Sequence, residues 1–229
     1  MRRMLGTMAL AAGLALPVQA QDTRPGIAVL PFDFGGSINA TDPELPEALG
    51  VGVQQLLTTE FAANSALRVV DRSQIRQLIA EQDLGGSGRV DANTAAKIGK
   101  LVGARYMVMG SVSEYGDFRI DARIVSVETS EIVKTEKING KRENLYNLVA
   151  TLANTVTRGV NLPALPRQAM EMREKRSVPT EAVTYYSRAL LYADRGNTAR
   201  ATELFNRAIE IFPEYTEAKE GLQQLSRTE

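Results

Sequence analysis

The stretch IAVLPF, which spans Ile27–Phe32, is apolar without interruption. Such a run is typical of a strand that helices cover on both faces, whereas a half-solvated strand alternates apolar and polar residues. We therefore predict an interior strand of a sheet at this position. Pro31 is expected to limit its far end, because proline has no backbone N–H to donate to a neighbouring strand.

Helices and short strands alternate after this stretch. Residues 43–64 place apolar side chains at helical spacing, and Asp42 can cap the start of that helix. Leu67–Val70 is predicted to be a short strand, followed by a helix that Asp71 or Ser73 can cap. The order strand, helix, strand, helix indicates a layered sheet with helices on its faces.

A third helix and a group of strands follow. The helix begins at Asp91 or Asn93, and Gly103 is expected to end it in a left-handed conformation. Residues 106–138 contain three predicted strands, of which the last two pair as an antiparallel hairpin. Residues 144–160 return to helical periodicity and close this part of the chain.

These patterns divide the chain into four segments. Residues 1–20 are predicted to be a signal peptide. Residues 21–160 form an α/β domain, in which a layered mixed sheet is flanked by helices. Residues 161–180 are a proline-containing linker with a charged helical segment, and residues 181–226 form a small all-α helical hairpin with a capping helix.

The N-terminus has the pattern of an export signal. Residues 1–3 carry positive charge, and residues 4–16 form an apolar run that is too short to span a bilayer comfortably. The small side chains of Val18 and Ala20 suit signal peptidase, so we predict cleavage between Ala20 and Gln21 and export to the periplasm.

Composition excludes several classes of function. The chain contains neither Cys nor His, and it carries 27 Lys and Arg against 27 Asp and Glu. Lack of His removes the commonest transition-metal ligand and the Ser-His and Cys-His nucleophile pairs. Balanced charge gives no electrostatic reason to bind nucleic acid. A bacterial lipoprotein needs Cys directly after its signal, so Gln21 at that position predicts a chain that is not lipidated.

Two glycine clusters, at Phe34–Ser37 and Leu84–Gly88, are the sequence features closest to a phosphate-binding loop. The first is not followed by a Lys-Ser or Lys-Thr pair, and the second follows a helix, so turns are the favoured interpretation. We assign no catalytic, cofactor-binding or metal-binding residue and expect a protein that is not an enzyme. An envelope enzyme or nucleotide-binding protein is the alternative that these glycines leave open.

The C-terminal hairpin has the spacing of a tetratricopeptide repeat. Small residues allow two helices to approach, aromatic residues fill the space between them, glycine forms the turn and proline ends the second helix. These packing positions are Tyr185, Ala189, Tyr192, Gly196, Ala201, Phe205, Ala208 and Pro213. Because a single repeat is not a stable solenoid, we expect the rest of the chain, another subunit or a partner to cover it.

Tyr186 and Arg188 lie one position round the first helix of the hairpin from this packing face. Exposed aromatic and arginine side chains are frequent anchors of protein interfaces. The two residues are therefore the candidate site for binding a protein partner.

The α/β domain resembles the CsgG family, whose best-known members are outer-membrane secretion components for curli fibres. Five segments, which follow one another in order, carry the resemblance: Ala28–Phe32, Leu57–Glu60, Arg68–Ile75, Ala95–Tyr106 and Gly110–Val112. The resemblance implies a periplasmic domain that acts in envelope assembly or transport, in some members as part of a ring-shaped oligomer.

The chain departs from the curli pore in two respects. The lipidated Cys is missing, and the region between Arg105 and Ile138 leaves room for about one hairpin, whereas the pore inserts two long hairpins per subunit. The leading hypothesis is a soluble periplasmic adaptor, free or peripheral to the outer membrane, whose repeat binds a protein of an assembly or secretion complex. The alternatives are a subunit of a ring-forming outer-membrane secretion channel and a periplasmic, lipoprotein-like activator of a cell-envelope enzyme. Homo-oligomerisation is left open.

Overall fold

The computed structural model of the chain describes residues 22–35, 42–81 and 90–228. The expected signal peptide and its cleavage site between Ala20 and Gln21 lie outside these residues. The glycine cluster Leu84–Gly88 and the end of the cluster that begins at Phe34 also lie outside them.

A five-stranded mixed sheet forms the centre of the α/β domain. Its strands are β1 (Gly26–Phe34), β2 (Arg68–Val69), β3 (Tyr106–Tyr115), β4 (Asp117–Ser126) and β5 (Ile132–Gly140). The spatial order is β2-β1-β3-β4-β5, with β1 parallel to both of its neighbours and β3, β4 and β5 antiparallel. The structure thus confirms the α/β class, the interior position of the first strand and the predicted hairpin.

The prediction that Pro31 limits β1 is wrong, because the strand continues to Phe34. The register between β1 and β3 shifts between Val29 and Phe32, and Pro31 is exposed within this shift. A residue within such a register shift forms no backbone hydrogen bond with the neighbouring strand. It therefore needs no N–H group, and proline is tolerated there.

Helices cover both faces of the sheet. On one face lie α1 (Leu45–Ala62) and α4 (Leu145–Gly159), and on the other lie α2 (Arg72–Glu81) and α3 (Ala92–Leu101). The remaining helices are α5 (Arg167–Glu174), α6 (Thr180–Asp194), α7 (Thr198–Ile211) and α8 (Thr216–Thr228). In the three described ranges, no helix is both long enough and apolar enough to cross a membrane.

Local signals explain where α2 and α3 begin and end. Asp71 accepts a hydrogen bond from the backbone N–H of Ser73 at 2.7 Å, and Asp91 accepts one from the N–H of Thr94 at 2.7 Å. The sequence offered Asp71 or Ser73 as the cap of α2, and Asp91 or Asn93 as the cap of α3. In both helices the aspartate accepts the hydrogen bond from a backbone N–H of the first turn. Gly103 has a φ of +65°, so the expected left-handed end of α3 is confirmed.

The three C-terminal helices, called here the helical unit, pack against the sheet domain of their own chain. Buried side chains of α6 and α7 belong to the same apolar cluster as those of α1, α4 and the adjoining sheet face. The sheet domain therefore provides the cover that a single helical hairpin needs.

Candidate functional site

Helix α6 lies directly on α1, and small residues allow this contact. Gly52 of α1 faces Ser187 of α6, and a Cβ atom built on Gly52 would lie 2.7 Å from the Ser187 Cβ. Such a distance is shorter than real contacts allow, so the two backbones could not stay this close with a larger residue at position 52. The contact fixes how the helical unit sits on the sheet domain.

Half of the eight predicted repeat-packing positions are buried in the helical unit. Ala189, Ala201, Phe205 and Ala208 are buried, and the turn residue Gly196 has a φ of +73°. Tyr185 and Tyr192 are only partly buried, and Pro213 lies in the exposed turn after α7. The Tyr192 hydroxyl donates to Glu44 of the sheet domain at 2.6 Å.

The expectation that Tyr186 is available to a partner as an exposed anchor is wrong. Its side chain is 2% exposed, and its ring packs against Phe205 and Tyr215 at centroid distances of 5.9 and 5.0 Å. Arg188 forms an ion pair with Asp42, just before α1. The side of α6 that was expected to face a ligand groove is thus covered by other parts of the chain. Both residues therefore hold the helical unit in place.

Five polar side chains from different parts of the chain form a second connection, called here the polar clasp. They are Glu60 on α1, Tyr146 on α4, Arg173 on α5, Arg176 in the connecting segment and Glu217 on α8. Arg173 pairs with Glu60, and Arg176 pairs with both carboxylate oxygens of Glu217, one of them at 2.7 Å. The Tyr146 hydroxyl accepts from Arg176 at 3.0 Å and donates to Glu60 at 3.3 Å.

Burial sets the ionisation of the clasp. It raises the pKa of the Glu60 carboxyl above its ordinary value, although the Arg173 guanidinium acts in the opposite direction. The pKa of Tyr146 is raised to about 12, mainly by burial and secondly by the negative charge of Glu60. The hydrogen bonds to Glu217 raise the pKa of Arg176, which therefore stays charged. A neutral phenol and two charged arginines thus hold the connecting segment against both units.

Beside this clasp, a polar cleft separates α1 and α2 of the sheet domain from α6 and α8 of the helical unit. It has a volume of about 330 Å³. The lining residues that matter for its chemistry are Gln55, Asp71, Arg72, Tyr186, Glu217 and Glu220. Sequence reasoning did not find this cleft, because its walls come from segments more than a hundred residues apart.

Charges within the cleft are partly neutralised by neighbours. Arg72 pairs with Asp194, with one N–O distance of 3.0 Å, and donates to the Gln55 side chain at 3.1 Å. Glu217 is paired with Arg176 in the clasp. Arg76 also pairs with Asp194, and Asp71 accepts hydrogen bonds from the backbone N–H and the hydroxyl of Ser73. Basic and acidic groups are therefore both present at the cleft.

Removing the Tyr215 hydroxyl is expected to leave the free energy of unfolding unchanged or to increase it. This hydroxyl is buried and has no hydrogen-bond partner within the described residues, so Tyr215→Phe removes an unsatisfied polar group. Tyr146→Phe is the matched control and should lose about 1–3 kcal/mol, because Arg176 and Glu60 lose a partner. Urea unfolding measures both; equal losses would contradict the prediction.

Part of the sheet domain is similar to a known family. Residues 15–119, which extend into β4, match the family model described as curli production assembly/transport component CsgG. Comparison with curated proteins gave no match.

Several solved structures are similar to parts of the chain. The LpoB C-terminal domain from Salmonella enterica is 18% identical over 52% of this chain and 83% of its own, with a TM-score of 0.35. A PelC dodecamer from Paraburkholderia phytofirmans is 14% identical over 61% and 89%, with a TM-score of 0.35. TolB from Acinetobacter baumannii is 14% identical over 72% and 32%, with a TM-score of 0.37. Residues 15–119 are therefore similar to the CsgG family.

Proposed function

We propose that this protein is a non-enzymatic periplasmic adaptor for assembly or transport at the cell envelope. In this proposal the CsgG-like domain contacts an envelope complex, and the helical unit, as a single tetratricopeptide-type repeat capped by α8, binds a second protein. The family match supports the envelope part of the proposal. The exported location rests on the signal-peptide pattern of residues 1–20.

The observation that carries the proposal is the polar clasp. Arg173 is 10% exposed and Glu60 6% exposed, and Arg176 joins the connecting segment to α8. A partner held by the helical unit would therefore keep a fixed orientation relative to the sheet domain. An adaptor needs this property, whereas two units on a flexible tether lack it.

The arrangement also limits where a partner binds. Helix α1 already covers one side of α6, so the partner surface comprises the exposed side of α8 and the adjoining cleft. Residues such as Lys219 and Gln223 are exposed on α8. Arg188, which pairs with Asp42, does not line this cleft.

Photocrosslinking in intact cells tests the adaptor. A photoreactive amino acid at Gln223 is expected to capture an exported envelope protein, which mass spectrometry then identifies. The matched control is Lys97, an exposed residue of α3 on the other face of the sheet. Capture of no envelope protein at Gln223, or of the same proteins at both positions, would refute the proposal.

A further inference from the structure

Strand β5 forms the longer of the two edges of the sheet. The opposite edge is β2, which contains only two residues, whereas β5 runs from Ile132 to Gly140. No strand of the described ranges lies beyond β5, so the backbone groups on its outer side have no described strand to pair with. Such an edge suits one kind of occupant, an extended chain that donates and accepts backbone hydrogen bonds.

The two faces of β5 differ in what covers them. Lys134 and Glu136 lie beneath α4, since a Cβ atom built on Gly159 of that helix would lie 3.1 Å from each of their side chains. Side chains alternate along a strand, so the next residues in the series point to the opposite face. They are all exposed, and they are Thr135, Lys137 and Asn139. The helices on that face, α2 and α3, pack on β1, β3 and the end of β4, so among the described helices none covers this face of β5.

Two cations on this open face form no ion pair within the described residues. Lys137 lies opposite Asp121 in the register, but both carboxylate oxygens of Asp121 accept hydrogen bonds from Arg119, each at 2.6 Å. Arg123 lies opposite Thr135 and is therefore a diagonal neighbour of Lys137 on the same face. Neither Lys137 nor Arg123 has an acidic partner among the residues that the structure describes. The open face of β5 therefore favours a chain that brings carboxylates.

The same charges disfavour other occupants of the edge. Lysine on an edge strand commonly prevents nonspecific pairing with other chains. If the β5 strands of two copies joined in antiparallel fashion, each would bring its own Lys137 and Arg123 to one continuous face, where like charges repel. Joining β5 to β2 of a second copy would pair only two residues. An acidic strand of a different protein meets neither obstacle.

We propose that an extended acidic segment of a partner protein binds to β5 and adds a strand to the sheet. Its backbone pairs with the outer side of β5, and its carboxylates lie on the open face next to Lys137 and Arg123. Ile132 and Val133, which are 44% and 46% exposed at the start of β5, provide apolar contact beside these cations. This inference rests on the proposed adaptor function, because it supplies the surface by which the sheet domain contacts the envelope complex.

Binding of a short peptide to the isotopically labelled full-length chain tests the site. The probe is acetyl-Thr-Val-Glu-Val-Glu-Val-Thr-amide, which places both glutamates on one face when it is extended. Every second amide of β5 is expected to become protected from hydrogen exchange, because the outward N–H groups gain a partner whereas the inward ones already bind β4. The matched peptide with glutamine at both glutamate positions should bind roughly tenfold more weakly, because two pairs of opposite charge are lost.

An exchange of charge keeps the test independent of folding. The double variant Lys137→Glu with Arg123→Glu should bind the glutamate peptide roughly tenfold more weakly than the wild type does. It should also bind the corresponding lysine peptide more tightly than the wild type does, and a misfolded chain would not gain such binding. Lys97→Glu, which reverses an exposed charge on α3, is the control and should leave both affinities unchanged.

Three results with the peptides would overturn the inference. They are equal binding of the glutamate and glutamine peptides, unchanged binding in the double variant, and binding without newly protected amides in β5. A fourth result would assign the edge to a second copy of this chain and would also overturn the inference. It is protection of β5 amides without peptide that increases with protein concentration, together with a dimer in sedimentation.

Crosslinking in cells separates this inference from the adaptor proposal. A photoreactive amino acid at Asn139, on the open face of β5, should capture an envelope protein. The double variant Lys137→Glu with Arg123→Glu should reduce the yield at Asn139 but not at Gln223. An unreduced yield at Asn139 refutes the strand site and leaves the adaptor standing. Peptide binding to β5 with no envelope protein captured at Asn139 or Gln223 refutes the adaptor instead.

Discussion

Gly52→Ala is expected to lower the free energy of unfolding by about 1–3 kcal/mol, as overpacking of a close helix contact does. The added Cβ would lie 2.7 Å from the Ser187 Cβ and still closer to its Oγ. Rotating the hydroxyl does not relieve the Cβ contact, so α6 must move away from α1. On an exposed helix the same change would stabilise the protein by roughly 0.5–1 kcal/mol, and the sign of the effect is therefore diagnostic. Chemical denaturation of the full chain measures it.

A second-site change provides the control for this prediction. Ser187→Gly removes both the Oγ and the Cβ, after which the nearest of these atoms is the Ser187 Cα at 3.5 Å, an ordinary contact distance. The double variant Gly52→Ala with Ser187→Gly should lose less stability than the sum of the single losses. Simple additivity would show that the two residues do not determine how closely α1 and α6 approach.

Arg173→Ala is expected to lower the free energy of unfolding by about 3–5 kcal/mol near neutral pH, because it leaves the Glu60 carboxylate buried without its partner. Arg173 also donates to the Glu60 carbonyl at 2.9 Å and to Asn154 at 3.1 Å. Arg167→Ala on the same helix is the control. Its pair with Glu171 is exposed to solvent, so a loss of at most about 1 kcal/mol is expected.

The pH dependence of the Arg173→Ala effect distinguishes a lost charge from lost packing. Burial already raises the pKa of Glu60, and removal of the guanidinium raises it further. A carboxyl whose pKa is raised in the folded state favours folding at low pH, and this contribution is lost as pH rises through that pKa. The difference from the wild type should therefore be largest at neutral pH and shrink on acidification. A difference independent of pH would contradict the assigned role of Glu60.

Much of the sheet domain could be predicted, because the sequence patterns that determine its strands and helices involve only neighbouring residues. The apolar run of β1, the helical spacing of α1 and the left-handed residue Gly103 each depend on neighbours in sequence. The end of β1 could not be predicted in the same way. Whether Pro31 ends a strand depends on the register with β3, which is a contact with a segment about eighty residues away.

The candidate site was harder to predict, because it lies between units. The sequence showed the periodicity of α6, but α1 and α8 decide which sides of α6 are covered, and Tyr186 is buried as a result. One signal was present. Gly50 and Gly52 lie inside the helix α1, where glycine is unfavourable by roughly 1 kcal/mol relative to alanine. Such glycines indicate that another part of the chain approaches closely.

The connecting segment has a consequence for how the protein unfolds. Arg173 ties it to α1 and Arg176 ties it to α8, and its helix α5 lies between the two units in the chain. Neither unit can detach without exposing charges that the other neutralises, so loss of the helical unit and loss of the sheet are coupled. A chain that looks bipartite in sequence should therefore melt in one cooperative transition, and a protease should find no early cleavage point between its halves.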